Sequence, residues 1–120
     1  MPIAVDAATE KRAREVLDEL TRGRIDRGAF SDELDAMLPK DWDISVAVEH
    51  AAALGPAKDM YAFQQRVTAE GVATYFRVRY PSEIMTWILS VDDAGRIIGF
   101  ALRRSPRNMI FNVWIRDVAY

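Results

Sequence analysis

Few side chains in this sequence could carry proton-transfer chemistry, and they are scattered. The only histidine is His50, and histidine is the side chain best suited to shuttle a proton near neutral pH. A carboxylate buried in an apolar pocket would have a raised pKa and could act as a general base. The candidate carboxylates near the ends of predicted elements are Asp41, Asp43, Glu49, Asp59 and Glu83.

The local sequence favours a structural role over a catalytic one for most of these residues. The apolar stripe of the surrounding helix turns His50 toward the outer face or a flank. Asp41 or Asp43 is expected to cap the third helix, and Asp59 to close the preceding Gly-Pro turn. No two carboxylates share one strand face, so a two-carboxylate hydrolase is not predicted.

A row of Tyr75, Arg77 and Arg79 alternates along one strand and therefore shares one of its faces. Guanidinium groups offer paired N–H donors to a carboxylate or phosphate, so this row could bind an anionic ligand. The pattern favours the alternative, an outer sheet face on which arginine stems cover apolar surface and pair across strands.

Composition bounds the class of protein. The chain has 120 residues, of which 50% are hydrophobic and 28% charged, as expected for one globular domain over residues 1–120. It has no cysteine, which excludes disulfides, thiolate metal ligands and cysteine nucleophiles. The sequence also lacks metal-ligand spacing, a glycine-rich phosphate loop and a nucleophile elbow, so neither a metal nor a cofactor is expected.

Charge and hydropathy limit the classes of partner that the sequence predicts. The formal net charge of −2 provides no field to attract nucleic acid or anionic lipid, so neither is expected as a partner. No apolar run approaches the ~20 residues that span a bilayer. The start, MPIAVDAATEKRAREV, also lacks the pattern of a signal peptide. We expect a cytoplasmic protein, although an exported chain without its signal peptide would look the same.

The first half of the chain has helical periodicity. Apolar residues recur three and four positions apart, and glycine or proline interrupts each run. Ser31 is the expected N-cap of the second helix. The predicted helices span 8–22, 32–38 and a third segment that starts near Asp41 or Asp43 and ends at Gly55-Pro56.

The second half has a period of two, which is typical of strands. The segment 84–91 is apolar on both parities and is expected to be a central strand. The last stretch, MIFNVWIRDVAY, also alternates and predicts an additional C-terminal strand within 107–120. The other predicted strands span 61–67, 72–80 and 96–104.

Helices followed by antiparallel strands predict an α+β fold, in which three N-terminal helices pack on one face of a curved antiparallel sheet. This order, with the stretches EVLDELTRGRIDRGAFSDEL and SVDDAGRIIGFALRRSP, resembles the nuclear transport factor 2-like superfamily, the cystatin-like α+β cone. The resemblance covers roughly residues 8–106 and is greatest to small uncharacterised bacterial members. The two stretches identify a scaffold and carry no catalytic signature.

The resemblance implies a conical pocket between the helices and the concave sheet face, and frequent dimerisation through the sheet. The superfamily includes ketosteroid isomerases, polyketide cyclases, scytalone dehydratase and limonene epoxide hydrolase, whose pockets use buried carboxylates with tyrosine or histidine. The isomerase pattern needs a tyrosine on the inward face of the first helix, where this chain has Val16, Leu17 and Leu20. The dehydratase pattern needs more than one histidine.

Three hypotheses for the function remain. The first is a non-catalytic domain that binds a small apolar molecule or forms a homodimer; strand parity predicts that its pocket is lined by Thr74, Phe76, Tyr80 and Trp87. The second is an enzyme of the isomerase, cyclase or dehydratase type, with His50 or an aspartate as the proton carrier. The third is an accessory domain that binds another protein through the sheet or the C-terminal strand.

Overall fold

A computed structural model describes residues 2–24, 26–105 and 107–115. These residues form helices first and strands afterwards, which confirms the predicted α+β class. No helix among them is both long and apolar enough to cross a membrane. The helices are α1 (Ala7–Thr21), α2 (Asp32–Met37) and α3 (Ser45–Ala52), and a 3-10 turn at Arg27–Ala29 precedes α2.

Side-chain caps fix the starts of the first two helices. The Asp6 carboxylate accepts the N–H of Thr9 at 2.7 Å at the start of α1. The Ser31 hydroxyl accepts the N–H of Leu34 at 3.2 Å, which confirms Ser31 as the N-cap of α2. Both caps satisfy a backbone N–H that has no partner inside the helix.

The start of α3 differs from the prediction. The helix begins at Ser45, and its N-cap, Ile44, makes no side-chain capping bond. The Asp43 carboxylate instead accepts the N–H of Ser45 at 2.9 Å and its hydroxyl at 3.1 Å. Asp43 therefore closes an Asx turn before the helix, because a short acidic side chain can bond the backbone two residues on.

The five strands form one antiparallel sheet in sequence order, so β1 and β5 are its edges and β3 is central. The predicted C-terminal strand corresponds to β5, and the last part of its range, 116–120, lies outside the described residues. Gly95 has a φ of 79° in the turn before β4, the positive value expected there. The strands are β1 (Asp59–Val67), β2 (Val72–Arg79), β3 (Ile84–Val91), β4 (Ile97–Ser105) and β5 (Asn108–Trp114).

The helices pack on one face of the sheet, which we call the helix face. Its side chains, among them Phe76, Trp87 and Phe100, form one buried cluster with Leu17 of α1 and Leu34 of α2. The opposite face, the outer face, has a smaller cluster that contains no helix residue among those described: Ala73, Tyr75, Ile88 and Ala101, flanked by Phe63 and Trp114. Alternation along each strand places successive side chains in the two clusters.

Candidate functional site

The predicted proton carriers of the helical half lie at the surface. His50, Asp41, Asp43 and Glu49 are all exposed. His50 and Asp43 border a shallow groove between α3 and β5, and Asp43 is occupied by its bonds to Ser45. None of the four lines a cavity between the helices and the helix face that is described below.

The two candidate carboxylates of the second half of the chain, Asp59 and Glu83, are engaged in ion pairs. Asp59 is the first residue of β1 and pairs with Arg79 across the strands, with Nε and Oδ2 3.1 Å apart. The carboxylate therefore reaches across the sheet and does not close the Gly-Pro turn as predicted. Glu83 pairs with Nε of Arg104 at 2.6 Å.

The Tyr75, Arg77 and Arg79 row lies on the outer face, as the favoured interpretation predicts. The Arg77 guanidinium carbon is 4.0 Å from the centroid of the Phe63 ring, and its Nη1 donates to the Thr86 hydroxyl at 2.6 Å. Arg79 is paired with Asp59, and Tyr75 is buried in the outer-face cluster. Arg77 and Arg79 therefore each use a guanidinium donor within the sheet.

The predicted ligand-binding residues lie on the helix face but do not converge on one site. Thr74, Phe76, Tyr80 and Trp87 are each at most 8% exposed. Thr74 and Phe76 line a cavity of about 270 Å³ beside the N-terminal half of α1, here called the N-terminal cavity. Tyr80 lines a second cavity, and Trp87 lines neither of the two.

The second cavity has a volume of about 630 Å³ and lies between α1, the end of α3 and the sheet; we call it the α1–α3 cavity. Its apolar wall includes Leu17, Met60 and Val78. The opposing wall is built from the small residues at the end of α3 and the turn that follows it, including Ala51, Ala52, Gly55, Pro56 and Ala57. Because these side chains are small, they leave open a space that larger side chains would fill.

Most polar groups of the α1–α3 cavity already have partners. Nη2 of Arg14 donates to Oε1 of Glu10 at 2.8 Å and to the carbonyl oxygen of Met60 at 2.9 Å. The Thr21 hydroxyl donates to the carbonyl oxygen of Asp18 at 3.0 Å. These contacts hold the rim of the cavity in place and leave few free donors in it.

Tyr80 is the exception. The residue is 8% exposed, and its hydroxyl makes no hydrogen bond with any described residue. Burial raises the pKa of Tyr80 to about 12, and the negative charge of Glu83 adds to the effect. The phenol therefore keeps its proton at neutral pH and can donate a hydrogen bond.

The sequence carried one signal for this cavity that periodicity alone does not reveal. The run AAALGPA, residues 51–57, concentrates small side chains where α3 ends. Such a run beside a long amphipathic helix indicates either close packing or open space. Arg14 and Thr21 reach the cavity because α1 packs over the sheet, where Arg14 bonds the carbonyl oxygen of Met60 in β1. No local pattern predicts this arrangement.

Among the described residues, no group of three or more histidines or carboxylates is placed to hold a metal ion. No family model, curated protein or solved structure matches the chain.

Proposed function

We propose that the protein is a non-catalytic domain that binds a small, mostly apolar molecule in the α1–α3 cavity. The observation that carries this proposal is Tyr80, a residue 8% exposed that lines a cavity of about 630 Å³ and whose hydroxyl has no hydrogen-bond partner among the described residues. An unsatisfied buried polar group costs about 1–3 kcal/mol. A ligand that offers an acceptor oxygen to Tyr80 would remove that cost.

Cavity size favours this site over the N-terminal cavity. Cavities that bind small molecules usually measure about 300–1,000 Å³. The α1–α3 cavity, at about 630 Å³, falls inside this range, whereas the N-terminal cavity beside Thr74 and Phe76, at about 270 Å³, falls below it. We therefore assign the ligand to the cavity that Tyr80 lines.

The lining also defines the polarity of the ligand. Leu17, Met60 and Val78 supply apolar contact, and the Arg14 guanidinium is already held by a carboxylate and a carbonyl. The ligand therefore needs an apolar body and one carbonyl, ether or hydroxyl oxygen within reach of Tyr80, and no charged group. Apolar burial supplies most of the affinity, and the single hydrogen bond sets the orientation.

Binding is favoured over proton transfer because the candidate proton carriers lie elsewhere. His50 and the candidate aspartates are at the surface, outside the α1–α3 cavity. Tyr80 has a pKa of about 12 and does not serve as a base at neutral pH.

We include in the proposal that the fold is the nuclear transport factor 2-like cone. The order of long helix, short helix, helix and five antiparallel strands, with the helices on one face, supports it.

The test uses Nile red, an uncharged apolar dye with one carbonyl oxygen, whose fluorescence rises in an apolar environment. We expect saturable binding of one dye per chain. Ala52→Trp should weaken binding at least about tenfold because Ala52 lines the cavity and is exposed enough to accept a larger side chain. Ala53→Trp, a change at the next residue, which is exposed and outside the lining, is the matched control.

Equal binding by both tryptophan variants would contradict the proposal, as would the absence of saturable binding to the native chain. Native mass spectrometry of freshly purified protein adds an independent readout. A retained non-covalent adduct that is present in the native chain and in Ala53→Trp, but lost in Ala52→Trp, would supply the mass of the natural ligand.

A further inference from the structure

The two cavities under α1 lie at different levels of the helix face. Met60 of β1 is the register partner of Val78 in β2, and both residues line the α1–α3 cavity. Thr74 of β2 is the register partner of Leu89 in β3, and both residues line the N-terminal cavity. Because alternate residues of a strand share a face, one level of side chains lies between Val78 and Thr74.

Phe76 and Trp87 occupy this intermediate level. They are register partners in β2 and β3, and both are fully buried. The Trp87 indole donates to the carbonyl oxygen of Ala13 at 3.0 Å, which joins the level to α1. The wall formed by α1 changes at the same place, because Ala13 lines the N-terminal cavity and Leu17, one turn later, lines the α1–α3 cavity. We call Ala13, Phe76 and Trp87 the partition.

Tyr80 and the partition lie at opposite ends of the wall that β2 contributes to the α1–α3 cavity. Tyr80 directly follows β2, and the alternation of side chains places Phe76, Val78 and Tyr80 in this order within the helix-face cluster. Four residues of extended chain, about 13 Å, separate Tyr80 from Phe76, a distance that an extended hydrocarbon chain of about ten carbons spans. The hydroxyl without a partner and the partition therefore define the two ends of the space along β2.

We propose that the partition sets the maximum length of the ligand, at about ten carbons from the oxygen that accepts a hydrogen bond from Tyr80. This inference rests on the proposed binding function and adds a size limit to it. The apolar part of the ligand lies against Leu17 and Val78 and ends at Phe76. A longer ligand would meet the fully buried ring of Phe76, which cannot make room without strain in the close-packed side chains around it.

The test measures how well 2-alkanones, from 2-heptanone to 2-tridecanone, displace Nile red from the native chain. Each compound has one carbonyl oxygen near one end and an unbranched apolar tail. The affinity should rise about fourfold with each added methylene and should stop rising near about ten carbons. Phe76→Ala should join the two cavities, so that the rise continues over about three further methylenes and 2-tridecanone binds at least about tenfold more tightly than to the native chain.

Phe111→Ala is the matched control. Phe111 is 3% exposed in the same core cluster and lines neither cavity, so this variant loses an equivalent ring but should keep the native length limit. Phe76→Val opens a smaller gap at the partition and should extend the limit by fewer methylenes. It tests the same point if Phe76→Ala does not fold.

The outcomes separate this inference from the proposed function. A length limit that is the same in the native chain and in the Phe76 variants would overturn the role of the partition, while displacement of Nile red would still show binding in the cavity. A native affinity that keeps rising up to 2-tridecanone would overturn it as well. A native chain that does not bind Nile red would overturn the proposed function and the length limit together.

Discussion

The indole Nε1–H of Trp87 donates a hydrogen bond to the carbonyl oxygen of Ala13, 3.0 Å away, and ties the central strand to α1. Both residues are fully buried. Thr9 and Arg12, toward the start of α1, line the N-terminal cavity. Arg14 and residues later in α1 line the α1–α3 cavity. The Trp87–Ala13 contact therefore marks the division of the space under α1 into two cavities.

Trp87→Phe should destabilise the protein by about 2 kcal/mol, because it removes a buried hydrogen bond and leaves unfilled volume. The control is Trp42→Phe, at a half-buried aromatic residue of the same core cluster, which should cost clearly less. Urea unfolding measures both changes. Equal losses for the two variants would show that the Trp87–Ala13 bond has no particular importance.

Tyr80→Phe should leave the protein as stable as the native chain or stabilise it by about 1 kcal/mol, because the hydroxyl that is removed has no partner among the described residues. The same change should weaken Nile red binding severalfold, since it removes the donor to the dye's carbonyl oxygen. Tyr61→Phe, at an exposed tyrosine, is the matched control and should alter neither property. A marked loss of stability in Tyr80→Phe would mean that the phenol has a partner within the fold.

Much of the fold could be predicted because its signals are local. Ser31 and the acidic residues after it locate the start of α2, and the apolar run at 84–91 coincides with β3. The start of α3 could not be predicted, because an aspartate before a helix either caps it or closes a turn. Here the aspartate, Asp43, closes a turn, and Ile44 packs into the core, which is a tertiary effect.

The candidate site was less predictable than the fold. The alternation of side chains along β2 and β3 predicts that one face of the sheet carries Thr74, Phe76, Tyr80 and Trp87. It does not reveal where the helix above them leaves space. That depends on the path of α1 and on the tie between Trp87 and Ala13, which joins residues far apart in the sequence. Parity therefore predicts a face, and only the packed structure divides that face into cavities.

The stability of the native chain should fall as the pH rises between about 10 and 12, and Tyr80 should contribute to the fall. The pKa of an unperturbed tyrosine is 10.0, and that of Tyr80 in the folded chain is about 12. In this interval the unfolded state loses the proton while the folded state keeps it, so ionisation favours unfolding. The stabilisation is fully present below pH 10 and is lost as the pH approaches 12.

The contribution of Tyr80 is isolated by comparison with Tyr80→Phe, because lysines and other tyrosines titrate in the same interval. Between pH 10 and 12 the native chain should lose more stability than the variant, because the pKa of Tyr80 is about 12 in the folded chain. Urea unfolding at a series of alkaline pH values measures this difference. Parallel curves for the two proteins would show that the phenol ionises as readily in the folded state as in the unfolded state.

Gly71→Ala should be among the most destabilising single changes at a glycine of this chain. A Cβ atom added at Gly71 would lie 1.9 Å from the carbonyl oxygen of Val91, so the turn between β1 and β2 would have to move away from the end of β3. Since the obstacle is backbone, no side-chain rotation relieves it, and a loss of about 3 kcal/mol in the free energy of unfolding is expected.

At Gly28 the atom nearest to an added Cβ is a carboxylate oxygen of Asp26, 3.1 Å away, which belongs to a side chain that can shift. Gly28→Ala is therefore the control and should cost less than about 1 kcal/mol. Thermal and urea unfolding of the two variants decide the point, and a Gly71→Ala protein as stable as Gly28→Ala would mean that the turn does not lie against β3 in solution.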